Sequence, residues 1–181
     1  MDNSPPTFET PRLLLVPIDP AFAEAALEGW EALQQLLGVP VADDFPNSRG
    51  MLTEVVELFD LNVSAENWFA WSIREKESQS VIGTIGFHGP LQDYPDAEIG
   101  YSVSSAWRER GIGTEALTAF MAWAKTRPNL ELIIARVQLE NLPSLKMLLR
   151  AGFEIDGMEE TAEDGTVLSL SMAGAKATLP E

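Results

Sequence analysis

Two arginines and two glycines stand close together in the segment SAWRERGIGT, which follows a predicted strand and precedes a predicted helix. The glycines have no Cβ, so their amide groups can come close to an anion. The positive end of the dipole of the following helix points at the same place. Arg108 and Arg110 add charge that suits a phosphate or a pyrophosphate. Taken alone, these residues are equally consistent with a tight turn between a strand and a helix.

Two other phosphate-binding patterns do not fit this segment. The Walker pattern needs Gly-Lys-Ser/Thr, which does not follow here, and the dinucleotide fingerprint needs a third glycine where this chain has Ala116. The segment resembles instead the pyrophosphate loop of the GNAT superfamily of N-acetyltransferases, with the pattern Arg/Gln-x-x-Gly-x-Gly/Ala at residues 108–113 and the upstream Val103. The family often has glycine at the position of Glu109, whose carboxylate we expect to point to solvent.

A second segment, NLPSLKMLLRAGF at residues 141–153, carries the same resemblance. Alone it is typical of a helix that Asn141 caps and Gly152 ends. It also resembles the family motif Asn-x-x-Ser/Ala followed by Gly-Phe. Many members have a tyrosine four residues after the Ser/Ala, where this chain has Leu148, whereas the Rim-type branch of ribosomal-protein N-terminal acetyltransferases uses the serine. The resemblance therefore implies that Ser144 contacts the coenzyme sulfur and that Asn141 positions the coenzyme.

The resemblance implies an acetyl-coenzyme A site along both segments. The residues that it assigns to the coenzyme are Ser102, Val103, Arg108, Arg110, Gly111, Ile112, Gly113, Thr114, Asn141 and Lys146. An amide at Ser102 or Val103 is expected to polarise the thioester carbonyl. No metal is expected, because the chain has no cysteine and one histidine, His88, which we expect in a surface turn.

An amine attacks only after it has lost its proton, so the reaction needs a base. Glu98 is the candidate, acting through water, because its strand flanks the acetyl group in the family and a carboxylate partly withdrawn from water takes up a proton more readily. A Glu98 that faces solvent or only orients the substrate is the other interpretation, and Asp96 is a weaker candidate. Tyr101 either lines the acceptor site or belongs to the core, and Trp30 and Trp68 are candidate walls of the acceptor pocket.

Composition limits the partners of the chain. With 181 residues, 45% of them hydrophobic, it is long enough for one domain with a sizeable core. The formal net charge of −16 repels nucleic-acid backbones, while an acidic surface either attracts cationic amines or only keeps the protein soluble. No apolar run reaches the length of a membrane span and no secretory signal is recognisable. We therefore expect a soluble cytoplasmic protein that binds neither nucleic acid nor membrane.

The predicted elements follow the order strand, two helices, three strands, helix, strand, helix and two strands. Helices are placed at about residues 19–37, 49–59, 111–126 and 144–151, and strands at about 12–17, 68–75, 81–89, 97–103, 131–137, 153–158 and 166–172. After a loose lead-in over residues 1–10, residues 11–181 are expected to form a single domain. This order also resembles the GNAT fold, which implies the α/β class: a twisted mixed sheet of about seven strands with helices on both faces, whose fourth and fifth strands separate around acetyl-coenzyme A.

The resemblance implies an enzyme of the acyltransferase class, an N-acetyltransferase that moves an acetyl group from acetyl-coenzyme A to a primary amine by direct attack in a ternary complex. The alternative is a coenzyme A-binding regulatory or interaction domain, which the leucine at position 148 favours and the retained Ser144 and Glu98 oppose. Transfer of longer acyl groups is also open. The acceptor is a protein N-terminus or a small-molecule amine, bound near residues 21–61, and the family makes a homodimer an open option.

Overall fold

The computed structural model describes residues 5–45, 49–58, 69–89, 95–162 and 164–174. The strands in these ranges are β1 (Phe8–Glu9), β2 (Leu13–Pro17), β3 (Ala70–Glu75), β4 (Val81–Phe87), β5 (Asp96–Val103), β6 (Leu132–Gln138), β7 (Glu154–Thr161) and β8 (Gly165–Ala173). The helices are α1 (Pro20–Glu28), α2 (Trp30–Leu37), α3 (Arg49–Leu58), α4 (Ile112–Ala124) and α5 (Leu142–Ala151). None of the helices within these ranges is long and apolar enough to cross a membrane.

The eight strands form one sheet in the order β1-β2-β3-β4-β5-β6-β8-β7, in which β5 and β6 are parallel. The parallel ladder is short and joins residues 96–98 of β5 to residues 132–134 of β6. Beyond it, and within the described part of the chain, β5 pairs with β4 alone and β6 pairs with β8 alone. The sheet therefore opens between β5 and β6. This confirms the mixed sheet with two separating strands that the resemblance implies.

Helix α4 covers one face of the sheet through aromatic packing. Phe120 and Trp123, three residues apart on one side of the helix, contact Phe87 and Trp71 of the sheet. Ring centroids lie 4.9 Å apart for Phe87 and Phe120, and 4.7 Å apart for Trp71 and Trp123. Because side chains alternate along a strand, the neighbours of Phe87 face the opposite side, where α3 brings Met51 against Gly100. The opening between β5 and β6 is thus bordered by α4 on one face and α3 on the other.

The structure corrects the predicted elements in two places. The single helix predicted over residues 19–37 is two helices, because Gly29 adopts a φ of 154°, which side chains disfavour, and ends α1. The predicted lead-in contains a strand, since Phe8 packs 5.4 Å from Trp71 and 5.8 Å from Trp123 and carries β1 onto β2. The sheet accordingly has eight strands rather than about seven. The acceptor-pocket candidate Trp68 lies outside the described residues.

Candidate functional site

Two left-handed residues shape the loop between β5 and α4. After a 3-10 turn at Ser105–Trp107, the φ angle is 59° at Glu109 and 76° at Gly111. Glu109 is exposed, and it lacks the freedom of glycine, so the surrounding loop must hold it in this conformation. Within the described ranges, the amides of residues 109–114 donate no well-formed hydrogen bond to a carbonyl or a side chain. These amides, at the N-terminus of α4, are therefore available to an anion.

Arg12 anchors this loop and the start of α4 through hydrogen bonds from its guanidinium group. Its Nε donates to Oε2 of Glu115 at 2.6 Å, and its Nη1 donates to the carbonyl of Arg110 at 2.8 Å. Glu115 also accepts from the Arg12 amide at 2.9 Å and from the Thr10 hydroxyl at 2.5 Å. A carboxylate in the first turn of a helix is favourable toward the helix dipole as well. The start of α4 is thus fixed to the chain segment between β1 and β2.

The substitution Glu115→Gln is expected to reduce stability at neutral pH but not in acid. Burial raises the pKa of Glu115, but the bonds from Thr10 and Arg12 and the charge of Arg12 outweigh it, so that pKa lies below its ordinary value. The resulting stabilisation is complete above the unfolded value of about 4.3 and is lost as the pH falls through the folded pKa. Urea unfolding should show a loss of about 1–3 kcal/mol at pH 7, which shrinks below pH ~4. An equal loss at both pH values would contradict this role.

A cavity of about 560 Å³, called here the loop cavity, lies between this loop and the start of α5. Of the residues predicted for the site, those that line it are Ser102, Val103, Arg108, Gly111, Ile112, Gly113, Thr114, Asn141 and Ser144. A Cβ added to Gly113 would lie 3.3 Å from Sδ of Met147 and 3.9 Å from Val103, both of which line the cavity. A side chain at position 113 therefore points toward these walls of the loop cavity.

Two predicted coenzyme residues, Arg110 and Lys146, are not walls of this cavity. Both are exposed, and Arg110 contributes its carbonyl to the Arg12 clamp instead. Arg108 does line the cavity, and its Nε donates to the carbonyl of Val103 at 2.7 Å. This bond fixes one side of the guanidinium and leaves its two terminal amino groups for a ligand. Sequence reasoning missed Pro143 and Met147, because helix-cap and packing positions carry no chemical signal of their own.

The opening of the sheet exposes one edge of β5. The amide of His88 donates to the carbonyl of Glu98 at 2.8 Å, and the amide of Ser104 donates to Ile82 at 2.7 Å. In this pattern the main-chain N–H and C=O groups of the even-numbered residues of β5 point toward β4. The amides of the odd-numbered residues point the other way, toward β6, and beyond the short ladder they face the gap between β5 and β6. Of the two amides predicted to polarise a carbonyl, Val103 rather than Ser102 is therefore turned toward the gap.

A second cavity of about 310 Å³, called here the splay cavity, occupies the gap between β5 and β6. It shares Tyr101, Asn141 and Ser144 with the loop cavity, so the two cavities meet at these residues. The Tyr101 hydroxyl lies 2.5 Å from Oγ of Ser144, and Oδ1 of Asn141 accepts from the Ser144 amide at 3.3 Å. Burial raises the pKa of Tyr101 by more than its bond to Ser144 lowers it, so the phenol keeps its proton at neutral pH.

The far wall of the splay cavity carries charged groups. Glu98 lies here with 35% of its side chain exposed, and its Oε2 is 3.7 Å from Nε of Arg136. Glu98 is thus partly withdrawn from water, as its predicted role as a base requires, but it also faces a cation, so that role stays a prediction. The other candidate base, Asp96, is exposed and is not a wall of either cavity. In the described ranges, no three His, Asp or Glu side chains cluster closely enough to hold a metal ion.

His88 is exposed in the bend that follows β4, in line with the predicted surface turn, and it also lines the splay cavity. Its Nδ1 lies 3.4 Å from Oε1 of Glu54 on α3, a residue 34 positions earlier in the chain. Contacts over such a separation leave no local pattern in the sequence, which is why this pair was missed. Trp30, a candidate wall of the acceptor pocket, packs half-buried against the core and lines neither cavity.

Comparisons with known proteins extend the likeness beyond the two motifs. The family model described as an acetyltransferase (GNAT) domain matches residues 12–154. The chain is 30% identical over 148 residues to the uncharacterized N-acetyltransferase YjdG of Bacillus subtilis. The aligned region covers 80% of this chain and 88% of the relative. A ribosomal-protein-S5-alanine acetyltransferase from Vibrio fischeri has a similar structure, with a TM-score of 0.69 and 19% identity over 96% of this chain and all 100% of that one. RimL, a ribosomal L7/L12 alpha-N-protein acetyltransferase solved with coenzyme A, has a TM-score of 0.62 and 18% identity over 94% of this chain and 99% of its own.

Proposed function

The chain belongs to the GNAT acetyltransferase family, and from that premise we propose that it transfers an acetyl group from acetyl-coenzyme A to a primary amine. One observation carries the proposal: the cavity in front of the unpaired amides of residues 109–114 meets a second cavity at the Tyr101–Ser144 hydroxyl pair. A donor that enters by the loop and an acceptor that enters between the strands would meet at these hydroxyls. Such proximity supplies a large part of the acceleration of a two-substrate reaction.

The residues of the loop cavity fit the pyrophosphate of the coenzyme. The amides of residues 109–114 would donate to its oxygens at the N-terminus of α4, and Arg108 would add charge-assisted bonds. Gly113 leaves this part of the cavity free of a side chain, since an added Cβ would lie against Met147 and Val103. When bound, acetyl-coenzyme A supplies the acetyl thioester and a thiolate leaving group. The Val103 amide, facing the gap, would polarise the carbonyl.

The hydroxyl pair is the proposed proton donor to the leaving sulfur. Ser144 and Tyr101 are hydrogen-bonded at 2.5 Å, and the Tyr101 phenol stays protonated at neutral pH. A proton that Ser144 gives up can therefore be replaced from Tyr101 within one hydrogen-bonded pair. The tyrosine that many family members carry at the position of Leu148 is thus replaced by a tyrosine on β5 acting through the serine.

We propose a peptide N-terminus as the first acceptor class to examine, with small-molecule amines second. The two solved relatives are described as acting on ribosomal protein S5 and on the α-nitrogen of L7/L12. Glu98 and Arg136 both line the splay cavity and offset each other, so it is the formal charge of −16 on the whole chain that attracts an incoming ammonium group.

The proposal is tested by binding and turnover in parallel. Calorimetry should show acetyl-coenzyme A binding at one site. Free coenzyme A should then be released when a panel of amines is added: Ala- and Ser-initiated tripeptides, spermidine and free amino acids. Binding without release for every amine would support the regulatory domain instead, and the absence of binding would contradict both functions.

A further inference from the structure

We propose that His88, oriented by Glu54, accepts the proton that the acceptor amine must lose; this inference rests on the proposed function, because it assumes an amine acceptor in the splay cavity. The proposal starts from the position of the ring. His88 directly follows β4, and its amide donates a hydrogen bond to the carbonyl of Glu98. The two residues are therefore cross-strand neighbours whose side chains share a face of the sheet. Both line the splay cavity.

Gly100 makes the room that the imidazole occupies. A Cβ added to Gly100 would lie 2.8 Å from Nε2 of His88, closer than such atoms approach, so any other residue would displace the ring. Gly100 and His88 are both walls of the splay cavity, and Nε2 is the ring atom that lies nearest to the position of the missing Gly100 Cβ. The ring therefore lies against the strand on which the acetyl group is expected, while part of the side chain stays open to solvent.

Glu54 decides which ring nitrogen can accept a proton. Its Oε1 lies 3.4 Å from Nδ1 of His88, and its Oε2 is buried without a hydrogen-bond partner among the described residues. A carboxylate at Nδ1 favours the tautomer with the proton on that nitrogen, which leaves the lone pair on Nε2. After Nε2 takes a second proton, the same carboxylate stabilises the positive ring.

The other charged groups around the cavity do not fill this role. Glu98 is paired with Arg136 at 3.7 Å, and Arg136 also lies 4.0 Å from Glu159. Histidine is the side chain that ordinarily titrates nearest neutral pH, so it can take up a proton and give it back at working pH. His88 is 41% exposed, which lets the proton leave to solvent.

The proton balance of the transfer closes. The ammonium gives one proton to Nε2 of His88, and the freed lone pair forms the C–N bond to the acetyl carbon. The electron pair of the C–S bond goes to sulfur, which takes a proton from the Tyr101–Ser144 pair. The nitrogen then gives up its second proton, which restores that pair, and His88 releases the first proton to solvent.

The first test needs no substrate. His88 is the one histidine in the chain, so 15N-histidine labelling gives a single ring spectrum that requires no assignment. The neutral ring should carry its proton on Nδ1 in the wild type, and Glu54→Gln should weaken that preference. A neutral wild-type ring protonated on Nε2 would overturn the proposal, because Nε2 would then have no lone pair to offer.

The second test compares rates with an Ala-initiated tripeptide as the acceptor. His88→Gln should lower kcat/KM at pH 7 by about 100-fold, while the Kd for acetyl-coenzyme A stays unchanged. The acidic limb of the wild-type profile should coincide with the pH at which the ring titrates by NMR. In the variant this limb should move to about pH 8, where an α-amino group loses its proton by itself. A variant with the wild-type rate and profile would overturn the proposal.

Matched variants separate this role from a structural one. Glu54→Gln should lower kcat/KM about tenfold, because a tenfold change corresponds to the free energy of about one hydrogen bond. Glu57→Gln, with the same change of charge at an exposed position one turn further along α3, should behave like the wild type. Glu98→Gln should keep the acidic limb in place, and its disappearance would assign the proton transfer to Glu98 instead. Failure of the proposed function shows separately, as wild-type protein that releases no coenzyme A with any amine.

Discussion

Replacing Gly113 by leucine is expected to abolish the binding of acetyl-coenzyme A while the chain stays folded. The new side chain would start 3.3 Å from Met147 and 3.9 Å from Val103, two walls of the loop cavity that Gly113 also lines. We expect the Kd measured by calorimetry to rise at least about 100-fold, which corresponds to a loss of ~2.7 kcal/mol in binding free energy. Stability should not fall, because leucine favours a helix over glycine by about 1 kcal/mol and Met147 is flexible enough to move.

The same substitution at Gly50 provides the control. Gly50 lies in α3, and an added Cβ there meets nothing within 4 Å, so Gly50→Leu should bind acetyl-coenzyme A like the wild type. Thermal unfolding of both variants checks that the fold is kept. If Gly113→Leu binds as tightly as Gly50→Leu, the coenzyme does not occupy the loop cavity.

Removing either member of the hydroxyl pair is expected to slow turnover without weakening coenzyme binding. Ser144→Ala and Tyr101→Phe each interrupt the 2.5 Å bond at which the two cavities meet, and each should lower kcat about 100-fold. Because the two groups act as one donor, the double variant should be little slower than either single one. Release of free coenzyme A under saturating acceptor measures the three rates. Independent, additive losses would contradict a shared donor.

The pH dependence and a control variant at a serine outside both cavities complete this test. Burial raises the pKa of Tyr101, so the phenol should remain protonated at least up to the ordinary tyrosine pKa of about 10. At any pH below that value, loss of the proton donor should therefore not reduce kcat. Ser169→Ala in β8 removes a hydroxyl from a residue that lines neither cavity and should leave kcat unchanged.

The strand, loop and helix that form the proposed coenzyme site could be predicted because local signals determine them. Gly111 has a φ of 76°, as a glycine-rich turn into a helix suggests, and Asn141 caps α5 through the Ser144 amide. Gly152, at a φ of 96°, ends the same helix. Each of these features depends on residues a few positions apart, so the sequence alone contains what is needed to infer them.

The contacts that complete the site depend on distant parts of the chain. The Arg12 clamp on Glu115 joins residues 103 positions apart, and Tyr101 reaches Ser144 over 43. The His88–Glu54 pair forms only because α3 packs on the face of β5 that Gly100 leaves open. Packing of whole elements determines such pairs, and no spacing rule within one segment could have revealed them.

Amide chemical-shift mapping with 15N-labelled protein tests most directly whether main-chain amides of the loop bind the pyrophosphate. During titration with acetyl-coenzyme A, the amides of residues 109–114 should show the largest saturable shifts, with smaller ones at Asn141 and Ser144. Saturable binding that leaves residues 109–114 unshifted, or no binding at millimolar coenzyme, would contradict the proposed donor site and the function built on it.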